Sequence, residues 1–280
     1  MSPIHDQGYR RYGGGRAPRG RGWAVIAGAG IRTMLAKRTF IGLLLLSWMP
    51  FVVRAVQIYA AANFPQASIL APTASTFREF LDQQSIFVFF VTVYVGAGLI
   101  ANDRRANALQ IYLSRPLTRA EYVFGKLTVL AAFLLLVTWV PAVALLVVQI
   151  LFAGNFTFFA GNLYLFPAIT VFSLVEAVMI GSAMLALSSL SNSARYVGIL
   201  YAGLIFFTQA IYGVLTLVTG SSRVSWLSLP ADLAQVGNAI FRLPPRYDTP
   251  VAVSFLMVVL LVVVSALVLE RRVRGVEVVS

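Results

Sequence analysis

Apolar positions in this chain run on continuously instead of alternating with polar ones. Six stretches, about 39–62, 85–101, 121–152, 163–190, 196–219 and 250–269, are long and almost free of charge. Each reaches or approaches the roughly 20 residues that a helix needs to cross a hydrocarbon core of about 30 Å. Strands of a membrane barrel would alternate with period two, so these runs predict helices. The expected fold is all-α, a polytopic membrane protein with six transmembrane helices. Pro50, Pro141 and Pro167 fall inside the runs and predict kinks or irregular starts.

The intervening stretches divide the chain further. Residues 1–22, rich in Gly and Arg, bury nothing and predict a disordered basic tail. Residues 23–38 are helix-like and too short to span. Trp23, Ile26, Ala27, Ile31, Met34 and Leu35 make a broad apolar side with Arg32 opposite, which predicts an interfacial helix. The six-span domain then runs over 39–270, with a charged loop at 102–120 and a longer loop at 220–249, and a short tail follows at 271–280.

Charge fixes the expected orientation. Only 11% of residues are charged and 59% are hydrophobic, against about 25% charged in an ordinary soluble domain. Of the 22 lysines and arginines, seventeen fall on the side of the two termini, four on the other side, and Arg54 inside a span. This asymmetry predicts cytoplasmic termini in the cell (inner) membrane. A net charge of +12 then reflects orientation and contact with anionic lipid, with no nucleic-acid partner. The chain has no cysteine, which excludes disulfides and thiolate metal sites.

The stretch from Asn102 to Lys126 is the most informative loop. Asn102 or Asp103 is positioned to cap a short helix over about 104–113, and Arg115-Pro116 stops it. Thr118 and Glu121 then form a capping-box pattern that restarts a helix into the third span. The short helix is apolar on both flanks, with Ala106, Leu109 and Leu113 on one and Ala108, Ile111 and Tyr112 on the other. Its own bundle, lipid headgroups or a protein partner must cover it.

With Gly96, Gly98, Asp103, Arg104, Arg105, Leu109, Leu113, Pro116, Arg119, Gly125 and Lys126 in this order, the chain resembles the permease subunits of type-2 ATP-binding-cassette (ABC) exporters. The family more often has glutamate at the position of Asp103 and Gly-Thr at that of Asn107-Ala108. The resemblance implies that the loop helix is a coupling helix, with Asp103, Arg104, Arg105, Leu109, Leu113, Arg115, Pro116 and Arg119 meeting a cytoplasmic ABC ATPase. It also implies that ATP and Mg are bound by that partner, with no cofactor in this chain, and that a second permease copy completes a homo- or heterodimer.

Other chemistry lacks parts. Gly125-Lys126 fails the phosphate-loop pattern at Ala120 and Leu127, and Gly96-Ala97-Gly98 at the end of a span reads as a close helix contact. The single histidine, His5, stands in the tail, and neither a catalytic set nor a metal set is expected. Asn155-Phe156-Thr157 matches a glycosylation pattern. Arg54 and Glu176 are ionisable residues deep within the expected spans, and they are expected to pair or to line the transport path. The alternatives to an ABC permease are a secondary transporter and a polytopic membrane enzyme.

Overall fold

The computed structural model describes residues 22–66, 71–108, 117–153 and 161–273. Every regular element among them is helical. Six are long and apolar enough to cross a membrane: Arg38–Asn63, Ala74–Arg105, Arg119–Phe152, Leu165–Leu190, Ala194–Thr219 and Val251–Arg272. Helix α1 (Gly22–Leu35) precedes them.

Two spans are broken where proline lies. The first consists of α2 (Arg38–Ser47) and α3 (Met49–Asn63), with Pro50 in the first turn of α3, where its missing N–H costs nothing. The third consists of α6 (Arg119–Val137) and α7 (Trp139–Ala153), with Pro141 in the first turn of α7. Pro167 likewise stands in the first turn of α8 (Leu165–Leu190). All three positions agree with the expected irregularities.

The second span departs from its expected start at residue 85. Helix α4 begins at Ala74 and continues to Val91. A π-helical turn, Thr92–Gly96, joins it to α5 (Gly98–Arg105). Phe77, Phe80, Leu81, Gln84, Val88 and Val91 recur at helical spacing along its buried face. Arg78, Glu79 and Asp82 lower the apolarity of this first part, so the hydropathy pattern starts the span eleven residues late.

Helix α8 is the best covered span and the hub of the bundle, packed against α5, α6, α9 (Ala194–Thr219) and α11 (Val251–Arg272). Small residues let it pack tightly: a methyl group on Gly96 would run into the Met184 side chain of α8. Helix α1 lies along α6, where Gly125 admits the backbone of Trp23 and Gly30 faces Val129. Trp23 also meets Phe124 edge-on at 5.2 Å.

Between α9 and α11 the chain forms a 3-10 turn, Ser222–Leu227, and helix α10 (Leu229–Ile240). Seven consecutive residues of α10, Ala231 to Gly237, are buried, so it is inserted into the bundle and does not rest on its surface. The Ser228 hydroxyl accepts from the N–H of Ala231 and donates to Gln209 of α9. Gln235 accepts from the N–H groups of Arg246 and Tyr247 and donates to the carbonyls of Tyr247 and Thr249, which pins the chain returning to α11.

Candidate functional site

Two sets of polar residues sit at separate levels along the second and fourth spans. The first lines a cavity of about 580 Å³ bounded by α4, α8, α9, α10 and the stretch at Arg246 and Tyr247. The Arg78 guanidinium is 3% exposed within it. It lies 4.4 Å over the ring of Phe172, and a methyl group on Gly237 of α10 would stand 2.6 Å from its Nε. One nitrogen, Nη2, pairs with Asp82 at 2.9 Å, and Asp82 also takes Arg246 at 2.8 Å. One carboxylate thus serves two guanidinium groups. Arg78 Nε and Nη1 remain buried without a hydrogen-bond partner, and so does Oε2 of Glu176.

The opposite wall is aromatic. Phe89 stacks with Tyr201 at 5.7 Å and meets Phe90 and Phe206 at 5.5 Å each. Ile86, Phe90 and Phe206 are exposed, so the cavity opens sideways between α4 and α9. Behind it, the Asp232 carboxyl of α10 is 1% exposed with no hydrogen bond of normal geometry on either oxygen. Burial pushes it up to about 7, and the Ser254 hydroxyl opposes that rise only in part. Asp248, by contrast, is held below the usual carboxylate range by the hydroxyl and backbone N–H of Ser222.

The second set lies where α5 ends. Asp103 pairs with Lys126 of α6 at 2.6 Å and accepts from the Tyr122 hydroxyl at 2.8 Å. Arg104 donates to the carbonyl of Ser189 in α8. The Ser188 hydroxyl donates to the carbonyl of Ala97 and accepts from the N–H groups of Ile100 and Ala101. It serves backbone groups just past the π-helical turn, where the ordinary ladder is interrupted. Together these bonds tie α5 to α6 and α8.

The expected cap at Asn102 or Asp103 is absent: both stay inside α5, and the chain turns instead at Asn107, whose φ is 52°. Asparagine tolerates that left-handed geometry better than most residues. Thr118 and Glu121 do form the capping box at the start of α6. Arg105 and Arg119 are exposed beside the connection. Leu109, Leu113, Arg115 and Pro116 lie outside the described residues, as do residues 1–21 and 274–280 of the tails and the Asn155 pattern.

The expected Arg54–Glu176 pair does not form. Arg54 pairs with Glu79 at 3.3 Å and bonds to Gln57 and Gln83, away from the cavity, whereas Glu176 lines it opposite Arg78. Arg78 stands between the first two apolar stretches of the sequence, outside both. Its signal was the spacing Arg78 to Asp82, four residues on one helical face, together with the apolar stripe from Phe77.

A family model described as ABC-2 family transporter protein matches residues 24–272. The chain belongs to the ABC-2 transporter family. No curated protein compared with it gives a significant match. As an ABC-2 permease it is a multi-pass membrane protein of ABC transport, a family whose membrane proteins work with ATPase subunits. The eleven residues that carried the resemblance lie within the matched region.

Proposed function

We propose that this ABC-2 permease is the transmembrane subunit of an exporter, driven by a separate cytoplasmic ATPase that binds ATP and Mg and docks on the 102–120 connection. One observation carries the proposal: the second and fourth spans each hold a piece of both polar sets. Span two runs from Arg78 at the cavity to Asp103 and Arg104 at the connection, and α8 runs from Glu176 to Ser188 and Ser189. Twelve residues of α8 separate its two groups, about 18 Å of rigid helix at 1.5 Å per residue. A push on the connection therefore reaches both walls of the cavity.

In this scheme α1 lies at the cytoplasmic interface, both termini are cytoplasmic in the inner membrane, and α10 faces outward. The spans α9 and α11 and the first span are the least covered, and a second permease copy seated on α9 closes the lateral opening into a conduit. The chain itself performs no catalysis.

The absence of cysteine makes the test clean, because a cysteine introduced at Arg105 or Leu109 is unique. Crosslinking in native membranes is expected to capture a nucleotide-binding ATPase, with a yield that changes when ATP is added. Failure to capture one, or labelling of position 105 from outside intact cells, overturns the proposal. Buried carboxyls at Glu176 and Asp232 are what a proton-coupled secondary transporter would need. Transport that persists without any ATPase would favour that reading.

A further inference from the structure

The cavity is built around donors that have nothing to bond. Arg78 is clamped between the Phe172 ring and Gly237, and its Nη2 is taken by Asp82, with the Ala234 carbonyl at 3.5 Å. Its two other nitrogens, Nε and Nη1, are buried and unpartnered. Leaving charged donors unsatisfied in a buried site is costly, so such an arrangement suits a site where a ligand supplies the acceptors. Nε and Nη1 lie on different edges of the guanidinium, so either one offers a single charge-assisted N–H to a carboxylate or phosphate oxygen.

Charge at the site favours the same class. Arg78 and Arg246 share the single carboxylate of Asp82, and Glu176 forms no ion pair with Arg78 among the described residues. An arriving anion supplies the second negative charge. Glu176 Oε2 also lacks a partner, and one proton shared between it and the ligand's acid group completes a bond on that side. The apolar remainder of the cavity is the cluster of Phe89, Phe90 and Phe206, of which the last two reach the lateral opening. A molecule with an acid group at one end and a chain or ring system at the other fills both halves.

We infer that this cavity is a binding site for an anionic amphiphile, its acid group held by Arg78 against Glu176 and its apolar part lying between α4 and α9. As an assignment of substrate class it rests on the permease reading, but it makes a separate prediction about the chain without its ATPase.

The full-length chain in nanodiscs of zwitterionic phosphatidylcholine, with no ATPase and no nucleotide, is titrated with the fluorescent acid 11-(dansylamino)undecanoate. Its methyl ester and an amine of the same chain length serve as probes of charge. The acid is expected to bind at least about tenfold more tightly than either. Arg78→Gln is expected to remove that preference and Arg246→Gln at the rim to reduce it in part. Arg223→Gln, outside the cavity, leaves it unchanged.

Repeating the titration in phosphatidylglycerol nanodiscs separates two sources of the acid. Loss of probe binding there identifies a bilayer lipid as the occupant, and unchanged binding identifies a dissolved amphiphile; either supports the assignment. Equal binding of acid, ester and amine, no binding at all, or an acid preference that survives both arginine substitutions overturns it. Because neither ATP nor the partner is present, a failed crosslink at position 105 and a failed titration are independent results.

Discussion

The two polar sets of the permease differ in how completely they are satisfied. Where α5 meets α6 and α8, Asp103, Lys126, Tyr122, Arg104 and Ser188 bond to one another or to backbone, and the three helices are locked together. Around the cavity, Arg78, Glu176 and Asp232 keep buried atoms without partners. Full satisfaction suits a joint that must pass motion without yielding. Unspent donors and acceptors suit a chamber whose contents come and go.

The largest effect is expected from breaking the joint. Asp103→Leu leaves Lys126 uncompensated and should destabilise the protein by about 2–4 kcal/mol, somewhat below a fully buried pair because both groups keep slight exposure. Thermal unfolding in detergent measures the loss, and the exchange Asp103→Lys with Lys126→Asp should recover part of it. If Asp103→Leu unfolds like the parent, the joint is not locked by charge. Ser188→Ala comes next, at about 1–3 kcal/mol, because one hydroxyl serves three backbone groups.

On the cavity side, Gly237→Ala sharpens the contrast. Its methyl group would stand 2.6 Å from Arg78 Nε, where the guanidinium is already held by Phe172 and Asp82. Overpacking of this kind costs about 1–3 kcal/mol. Weakened binding of an anionic probe with crosslinking at position 105 retained is the expected pattern.

Asp232 gives a smaller, pH-dependent effect. Its folded value near 7 lies above the ordinary 3.8, so the folded state holds the proton more tightly than the unfolded state does. Its contribution to stability is fully present below pH 4 and is lost as pH rises towards 7. Relaxation and water entry damp this loss below what the shift alone implies. Asp232→Asn should flatten the dependence of melting temperature on pH across that window; an unchanged slope would assign it to other groups. Glu79→Gln, at an exposed ion pair with Arg54, should change stability by under about 1 kcal/mol.

Much of this contrast was hidden in the sequence. Continuous apolar runs gave six spans, and proline gave the breaks at Trp48 and Thr138, because length and backbone chemistry are local properties. Thr118 and Glu121 were readable for the same reason. Which residue faces which was not. A helix such as α8, apolar nearly all round, carries no mark of the side that meets Arg78, so the sequence offers Arg54 as a partner for Glu176 only because both stand within expected spans. Span two was cut short because charges inside a membrane helix lower its hydropathy, although the stripe from Phe77 to Val88 runs through them. The π-helical turn left no trace because its neighbours on every side are also apolar.

That turn, Thr92–Gly96, gives span two one residue more than an α-helix of equal length would hold. Tightening it to ordinary geometry would twist one half of the span against the other by about 100°, the rotation per residue in a 3.6-residue turn. The surplus residue makes this rod a swivel as well as a strut: the stretch bearing Arg78 can turn about its own axis while the stretch bearing Asp103 stays fastened.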